Sequence, residues 1–214
     1  YPDGLAGYLA ELAAGQEAVA PLYAAEQYAS GEDESFAEGE GAAWAFGWFA
    51  EALPSESYVN LIPTVAGGTH ESGLRAGVFE AVKSFIEHHA LLPRGVKLQQ
   101  EDVCGRMAFV LSARILDPQF QGQVKEKLNS REAVKLVAGM VRDLLEIWLN
   151  SHVEAGKAIA ELSIKQALAR QKLGRESEAN TYFEAMEVLA QCSDLPRAAR
   201  DQLMGLVERG RFAP

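Results

Sequence analysis

The residues best suited to chemistry lie on a polar segment that runs from Asp117 to Leu128. Two lysines, Lys125 and Lys127, stand beside Gln123 in this segment. An ammonium group and an amide N–H both donate hydrogen bonds, so both can bind phosphate oxygens. A lysine on a loop is more often simply solvated, and composition alone leaves both interpretations open.

A second cluster of interest is Gly67-Gly68-Thr69-His70 with Gly73 following, between a predicted strand and a predicted helix. Paired glycines permit positive φ and close backbone approach, and Thr69 is placed to cap the helix. A phosphate-binding loop would need a lysine and a hydroxyl residue at a fixed offset, which this cluster lacks. The pattern therefore favours a tight structural turn.

The histidines and cysteines do not predict a metal site. His88 and His89 are adjacent, so on a helix they point about 100° apart and do not share one ion readily. Cys104 and Cys192 stand in dissimilar contexts without metal-ligand spacing. We expect free thiols and no metal.

Charge is distributed unevenly along the chain. The formal net charge is −10, yet the first 60 residues hold eleven acids and no base, and the first basic residue is Arg75. Strong autonomous binding to nucleic acid needs a basic excess that the whole chain lacks. A local basic strip from Arg94 to Lys135 remains, in which Arg94, Lys97 and Arg106 are candidates to face DNA.

Composition predicts one sizeable soluble domain or one domain with an appendage. The chain has 214 residues, of which 48% are hydrophobic and 23% charged, as is ordinary for a globular fold. No apolar run approaches the roughly 20 residues that span a bilayer. The chain opens at Tyr1-Pro2 without a leader, which predicts a cytoplasmic protein and a piece cut from a longer chain.

Hydrophobic periodicity predicts the secondary structure and an α+β fold. Strands come first in this pattern, followed by a helix, another strand and a long helical arm with a break at residues 150–152. The predicted elements are a helix at 4–14, extended segments at 21–29, 43–50 and 57–63, a helix after Gly73, a short helix from Glu101, a strand at Met107–Leu111 and the arm at 131–172.

The last residues differ from the rest. Residues 173–178 read as a polar connector because they include Gly174 and Ser177. Residues 179–214 read as a helical hairpin, with a helix-start signal at Ser193-Asp194-Leu195-Pro196. A hairpin of this size is marginal alone and is expected to dock. Two origins stay open for this hairpin. It is either an engineered fusion of a partner or inhibitor peptide, or a divergent natural end of the chain.

Three ordered blocks resemble the transducer domain of the ATPase subunits of bacterial type IIA topoisomerases. The resemblance covers residues 1–172. The residues at Asn60–Pro63 and Leu92–Leu98 favour the topoisomerase IV branch of the family over the gyrase branch. The blocks are Ser57–Thr64 with Gly67–His70 and Gly73–Arg75, then Leu92–Leu98 with Glu101–Val103, then Asp117–Phe120 with Gln123–Lys125 and Lys127–Leu128.

This resemblance implies a fold and a role. The implied transducer fold is like a ribosomal-protein domain, with a sheet packed on helices, a left-handed βαβ crossover and a long C-terminal helix. A GHKL ATPase domain precedes it and binds ATP with Mg, and a TOPRIM domain follows. Gln123 and Lys125 are implied to contact the γ-phosphate, so that ATP binding and hydrolysis are coupled to DNA strand passage with the A-subunit of topoisomerase IV.

The chain departs from the family pattern in two ways. Val124 replaces the threonine between the glutamine and the lysine, which leaves the roles of Gln123 and Lys125 in place. The ATPase and TOPRIM domains are absent from this sequence, so we expect no cofactor and no catalysis in this chain alone. The alternative hypothesis is a binding module that acts as receptor for the C-terminal helical hairpin.

Overall fold

The computed structural model describes residues 3–30, 36–191 and 196–211. The predicted mixture of helices and strands is confirmed, since one five-stranded sheet is combined with helices. The elements in chain order are α1 (Gly4–Leu12), β1 (Tyr23–Tyr28), β2 (Gly41–Trp48), β3 (Glu56–Val59), β4 (Ile62–Pro63), α2 (Thr69–His88), α3 (Gln100–Cys104), β5 (Met107–Arg114), α4 (Glu132–Ser151), α5 (Val153–Gln191) and α6 (Arg197–Arg211).

The chain divides into two compact units, Tyr1–Lys165 and Gln166–Pro214. The first unit holds the sheet, α1 to α4 and the beginning of α5, whereas the second holds the rest of α5 and α6. None of the described helices combines the length and the apolar character that crossing a membrane would require.

The five strands form one mixed sheet in the order β1-β2-β5-β3-β4. Neighbouring strands are antiparallel except β3 and β5, which run parallel with Glu56 opposite Val110 and Val59 opposite Ala113. A parallel pair needs a crossover connection, and here the crossover contains β4, α2 and α3. The left-handed sense of this crossover stays a prediction.

Strand β2 is buried on both faces, and its side chains are sorted by size between them. Trp44, Phe46 and Trp48 pack into the core that the sheet shares with α2 and α4. Ala45 lies in the smaller cluster on the other face, with Leu9 of α1. Burial of each aromatic side chain contributes about 2–3 kcal/mol to the free energy of unfolding. The face of β2 that carries the large side chains is therefore the face that packs in the main core.

The segment Ser57–Pro63, predicted as one strand, is a tight hairpin of β3 and β4. The turn is at Asn60 and Leu61, whose φ angles of 49° and 67° lie in the left-handed region. The Asn60 side chain stabilises it by donating from Nδ2 to the carbonyl of Ile115 at 2.8 Å and accepting at Oδ1 from the N–H of Ile115 at 3.0 Å. The prediction missed the turn because neither turn residue is glycine.

The helical arm is interrupted where sequence predicts. His152 separates α4 from α5 with φ −125° and ψ 61°. Its N–H donates to the carbonyl of Trp148 at 2.9 Å, and the two rings stack with centroids 4.9 Å apart. The predicted break at residues 150–152 is therefore confirmed as a local change of backbone between α4 and α5.

Helix α5 continues without a break through residues 173–178, where a polar connector is predicted, and the role of this segment as a connector stays a prediction. Gly174 costs only about 1 kcal/mol relative to alanine inside a helix, and the strong helix formers around it outweigh that cost. The first compact unit ends at Lys165, and the domain limit at residue 172 stays a prediction. Residues 192–195 lie outside the described residues, so the hairpin and the origin of residues 179–214 stay predictions.

Candidate functional site

The segment after β5 folds into a narrow loop that is closed at its base by backbone hydrogen bonds. The N–H of Gln121 donates to the carbonyl of Lys127 at 2.8 Å, and the N–H of Asn129 donates to the carbonyl of Gln119 at 2.7 Å. Residues 122–126 form the tip, and all of them are exposed. We refer to residues 117–130 as the lysine loop.

Gln123 and Lys125 both lie at this exposed tip. Lys125 has a φ of 55°, a left-handed conformation that costs about 1–2 kcal/mol for a residue with a side chain. Its Nζ lies 6.0 Å from the centroid of the Phe120 ring, so the ammonium is weakly held and faces solvent. The tip thus presents an ammonium and an amide, which are donors suited to anionic oxygens.

Gly67 and Gly68 form the predicted turn, with φ angles of 66° and 143°. Three backbone hydrogen bonds join this turn and its neighbours to the lysine loop. They run from Ala66 N–H to the Glu126 carbonyl (3.0 Å), from Leu128 N–H to the Gly67 carbonyl (3.1 Å) and from Thr69 N–H to the Leu128 carbonyl (3.1 Å). The turn and the loop, predicted separately, are therefore one structural feature.

Two residues assigned to the turn have other roles. Thr69 does not cap α2, because Gly68 is the N-cap residue and no side chain bonds there. The Thr69 hydroxyl is buried without a hydrogen-bond partner in the described structure. Gly73 lies inside α2, where an added Cβ would stand 2.7 Å from the carbonyl oxygen of Val134 in α4. Its role is close helix packing, which sequence spacing alone did not separate from the turn.

His70 is a core residue, and it lies in a polar network that sequence reasoning missed. The ring is fully buried, with Nε2 3.0 Å from Thr64 Oγ1. Thr64 Oγ1 donates to the carbonyl of Ser57 at 2.9 Å, and Ser57 Oγ donates to Glu71 Oε1 at 2.6 Å. Burial lowers the pKa of His70 to about 4, so the ring is neutral at pH 7.

A second polar cluster also escaped sequence reasoning. Tyr8 and Tyr58 each donate a hydrogen bond of 2.6 Å to the same oxygen, Glu56 Oε2. The bonds from Tyr58 and Tyr8 lower the pKa of Glu56. Glu56 and Glu71 both line a cavity of about 310 Å³ beside β3. The spacing of these residues holds no signal, because α1, β3 and α2 are brought together only by the fold.

The three candidate DNA-facing residues occupy the connection between α2 and β5. Arg94 and Lys97 are exposed on the segment before α3, on either side of the buried Val96. Arg106 is half-buried after α3, and its carbonyl accepts a hydrogen bond of 2.9 Å from the N–H of Phe49. A role in facing DNA stays a prediction for all three.

Metal-ligating residues are dispersed. The part of the chain that the structure describes holds no group of three or more His, Cys, Asp or Glu side chains placed to bind a metal ion. Cys104 is a free, buried thiol, and burial raises its pKa to about 12, which makes it a poor nucleophile. Cys192 lies outside the described residues.

Comparison with known proteins gives consistent similarities. The profile of the family described as DNA gyrase B matches residues 4–179. The B-subunit of DNA topoisomerase 4 from Pseudomonas aeruginosa is 52% identical over 141 residues, which are 65% of this chain and 22% of that protein. The B-subunit of the Escherichia coli enzyme is 42% identical over 178 residues, which are 82% of this chain and 27% of that protein.

A solved structure agrees with these sequence relatives. The topoisomerase IV ATP binding domain of Francisella tularensis, in complex with a small-molecule inhibitor, has a TM-score of 0.67 and 33% identity over 79% of this chain and 44% of that chain. The present chain spans about a quarter of the length of the curated relatives it matches. The chain therefore belongs to the DNA gyrase B family, with the B-subunits of DNA topoisomerase IV among its relatives.

Proposed function

We propose that this chain is the transducer part of a topoisomerase IV B-subunit, and that Gln123 and Lys125 contact the γ-phosphate of ATP held by an adjoining domain. One observation carries this proposal: an exposed ammonium and an exposed amide lie at the tip of a loop whose base is hydrogen-bonded to the start of α2. The name of the related Francisella structure, an ATP binding domain, supports the assignment of the ligand.

The chemistry of the tip is electrostatic. Lys125 supplies a positive charge and Gln123 supplies amide N–H donors, and both stabilise negative phosphate oxygens. Neither residue acts as an acid, a base or a nucleophile in this proposal. The described residues offer no cluster of metal ligands, so Mg is assigned to the adjoining ATPase domain together with the nucleotide.

The packing of α2 supports a role in coupling. The lysine loop is bonded to the start of α2, and α2 packs on α4 at Gly73 and Gly77. An added Cβ at Gly77 would stand 2.5 Å from the carbonyl oxygen of Ala138, so the two helices are in close contact. Beyond His152, α5 extends as a helix of 39 residues. A displacement of the loop would therefore reach the long helix through packed secondary structure.

The intact protein supplies the remaining parts. We assign to it a GHKL ATPase domain before this chain and a TOPRIM domain after it, with the A-subunit of topoisomerase IV and DNA as partners. The whole enzyme is then an ATP-dependent type II topoisomerase of the bacterial cytoplasm. The alternative role as a receptor for residues 179–214 has no observation in its favour, since α5 runs unbroken into that segment and the family match extends to residue 179.

The test is Lys125→Ala in the full-length protein, assembled with the A-subunit and DNA. We expect ATP turnover to fall by about 100-fold or more, as when one preorganised electrostatic donor is removed. Lys127→Ala is the matched control, because Lys127 is also an exposed lysine of the same loop, and it should stay within about two-fold of wild type. Near-normal turnover of Lys125→Ala would exclude the proposed phosphate contact.

A further inference from the structure

The contact between Gly68 and the lysine loop is closer than any side chain would allow. A Cβ placed on Gly68 would stand 2.4 Å from the carbonyl oxygen of Leu128 and 2.6 Å from its backbone nitrogen. These are main-chain atoms, so no side-chain rotation relieves the overlap. The φ of 143° at Gly68 is also outside the range that residues with a Cβ adopt readily.

Leu128 is the point where the exposed loop enters the core. Its side chain is 1% exposed, whereas residues 121–127 before it are all exposed. Both backbone polar groups of Leu128 bond to the turn, since its N–H donates to the carbonyl of Gly67 and its carbonyl accepts from Thr69. The position of the tip relative to α2 is therefore set at this contact and at the neighbouring bond from Ala66.

We propose that Gly68 is a positioning residue for Lys125: by admitting the Leu128 backbone against the start of α2, it holds the lysine at the place from which the lysine reaches phosphate. This inference rests on the proposed function of the loop. Displacement of a contacting group by about 1 Å costs on the order of 100-fold in rate, so an overlap that moves the loop should remove most of the effect of Lys125. Gly68 itself touches no ligand in this proposal.

The experiment is Gly68→Ala in the full-length protein, with Gly15→Ala as its control. Gly15 also has a positive φ, 81°, but no atom would lie within 4 Å of an added Cβ there. We expect ATP turnover of Gly68→Ala to fall nearly as far as that of Lys125→Ala, whereas Gly15→Ala stays within about two-fold of wild type. Hydrogen exchange at the Leu128 and Thr69 amides should accelerate in Gly68→Ala alone.

The double variant Gly68→Ala/Lys125→Ala separates positioning from general damage. If Gly68 acts through Lys125, the double variant should turn over ATP no more slowly than Lys125→Ala alone. A further loss in the double variant, in proportion to the loss in the Gly68 single variant, would show a merely structural role and overturn the proposal.

A milder variant covers the case in which Gly68→Ala does not fold. Ala66→Pro deletes the N–H that donates to Glu126 at 3.0 Å, and its ring also fixes φ at position 66 and restricts the preceding residue. It should give a smaller loss that is again absent in the Lys125→Ala background. Wild-type turnover in both Gly68→Ala and Ala66→Pro, with Lys125→Ala impaired, overturns the positioning role and leaves the phosphate contact standing. Normal turnover in Lys125→Ala overturns the proposed function, and the positioning role fails with it.

Discussion

Helix α2 makes two glycine-dependent contacts that differ in kind. At its start, Gly68 admits a segment of backbone, and the contact consists of main-chain hydrogen bonds to an exposed loop. Along its flank, Gly73 and Gly77 are buried and admit the backbone of α4, and the contact is close packing of two helices beside the main core. The same residue type thus supports a polar attachment at one place and helix packing at the other.

This difference predicts different consequences for changes at Gly68 and at Gly77. The start of α2 is bonded to a loop whose tip is in solvent, so a change there alters where the loop lies. The flank is part of the main core, so a change there alters how well the first unit folds. We therefore expect changes at Gly68 to affect ATP turnover first and changes at Gly77 to affect the free energy of unfolding first.

The largest expected effect is a dependence of stability on pH, and it belongs to the start of α2 because His70 is buried there. The folded pKa of His70 is lowered from 6.5 to about 4, so the unfolded chain binds more protons between these values. The contribution of His70 to the free energy of unfolding should therefore be fully present above pH 6.5. The free energy of unfolding should then fall by about 3 kcal/mol as the pH drops toward 4.

Denaturant unfolding at a series of pH values measures this effect. His70→Asn should be less stable at pH 7 but should lose less of its stability between pH 6.5 and 4 than the wild type. The carboxylates are common to both proteins, so the difference between the two slopes isolates His70. Equal slopes would show that His70 is not buried as a neutral ring.

A smaller effect tests the flank. Gly77→Ala should lower the free energy of unfolding by about 2 kcal/mol, since the new Cβ overlaps the Ala138 carbonyl. Gly139→Ala on α4 is the matched change in open space, and it should raise the same quantity by about 0.5–1 kcal/mol. ATP turnover per folded molecule should be kept in both. A stabilising Gly77→Ala would show that the helices are not in close contact.

The smallest effect compares two threonines near the start of α2. Thr64 Oγ1 is hydrogen-bonded in the buried network, so Thr64→Val should cost about 1–2 kcal/mol. The Thr69 hydroxyl is buried without a partner in the described structure, so Thr69→Val should be neutral or stabilising by up to about 1 kcal/mol. Chemical denaturation of both variants checks this, and equal losses would contradict the network.

Several features followed from the sequence because they depend on neighbours along the chain. The alternation in β2, the helical period after Gly73 and the break at residues 150–152 are local patterns, and each predicts the type of its element, although α2 begins at Thr69, before the predicted start. The paired glycines predict a turn for the same reason, since positive φ is a property of single residues. The candidate phosphate contact at Gln123 and Lys125 was reached through resemblance and stays a proposal.

Other features were invisible because they depend on residues far apart in the chain. The spacing of residues in the sequence does not indicate that Leu128 lies against Gly68 or that β3 runs parallel to β5. It also does not indicate that Gly73 packs against α4. These contacts form only when the crossover brings the segments together, since close packing and burial are properties of the assembled core.

The features that the sequence predicts and those that only the tertiary structure decides therefore have different physical causes. The sequence alone determined most of the helical and extended segments, where glycine permits a turn, and which polar segment carries two lysines beside Gln123. Only the tertiary structure decided that His70 is a buried neutral ring, that Gly73 packs against α4, and that the lysine loop is bonded to the start of α2. Local conformation is set by adjacent residues, whereas burial and close contact are set by what the rest of the chain places beside them.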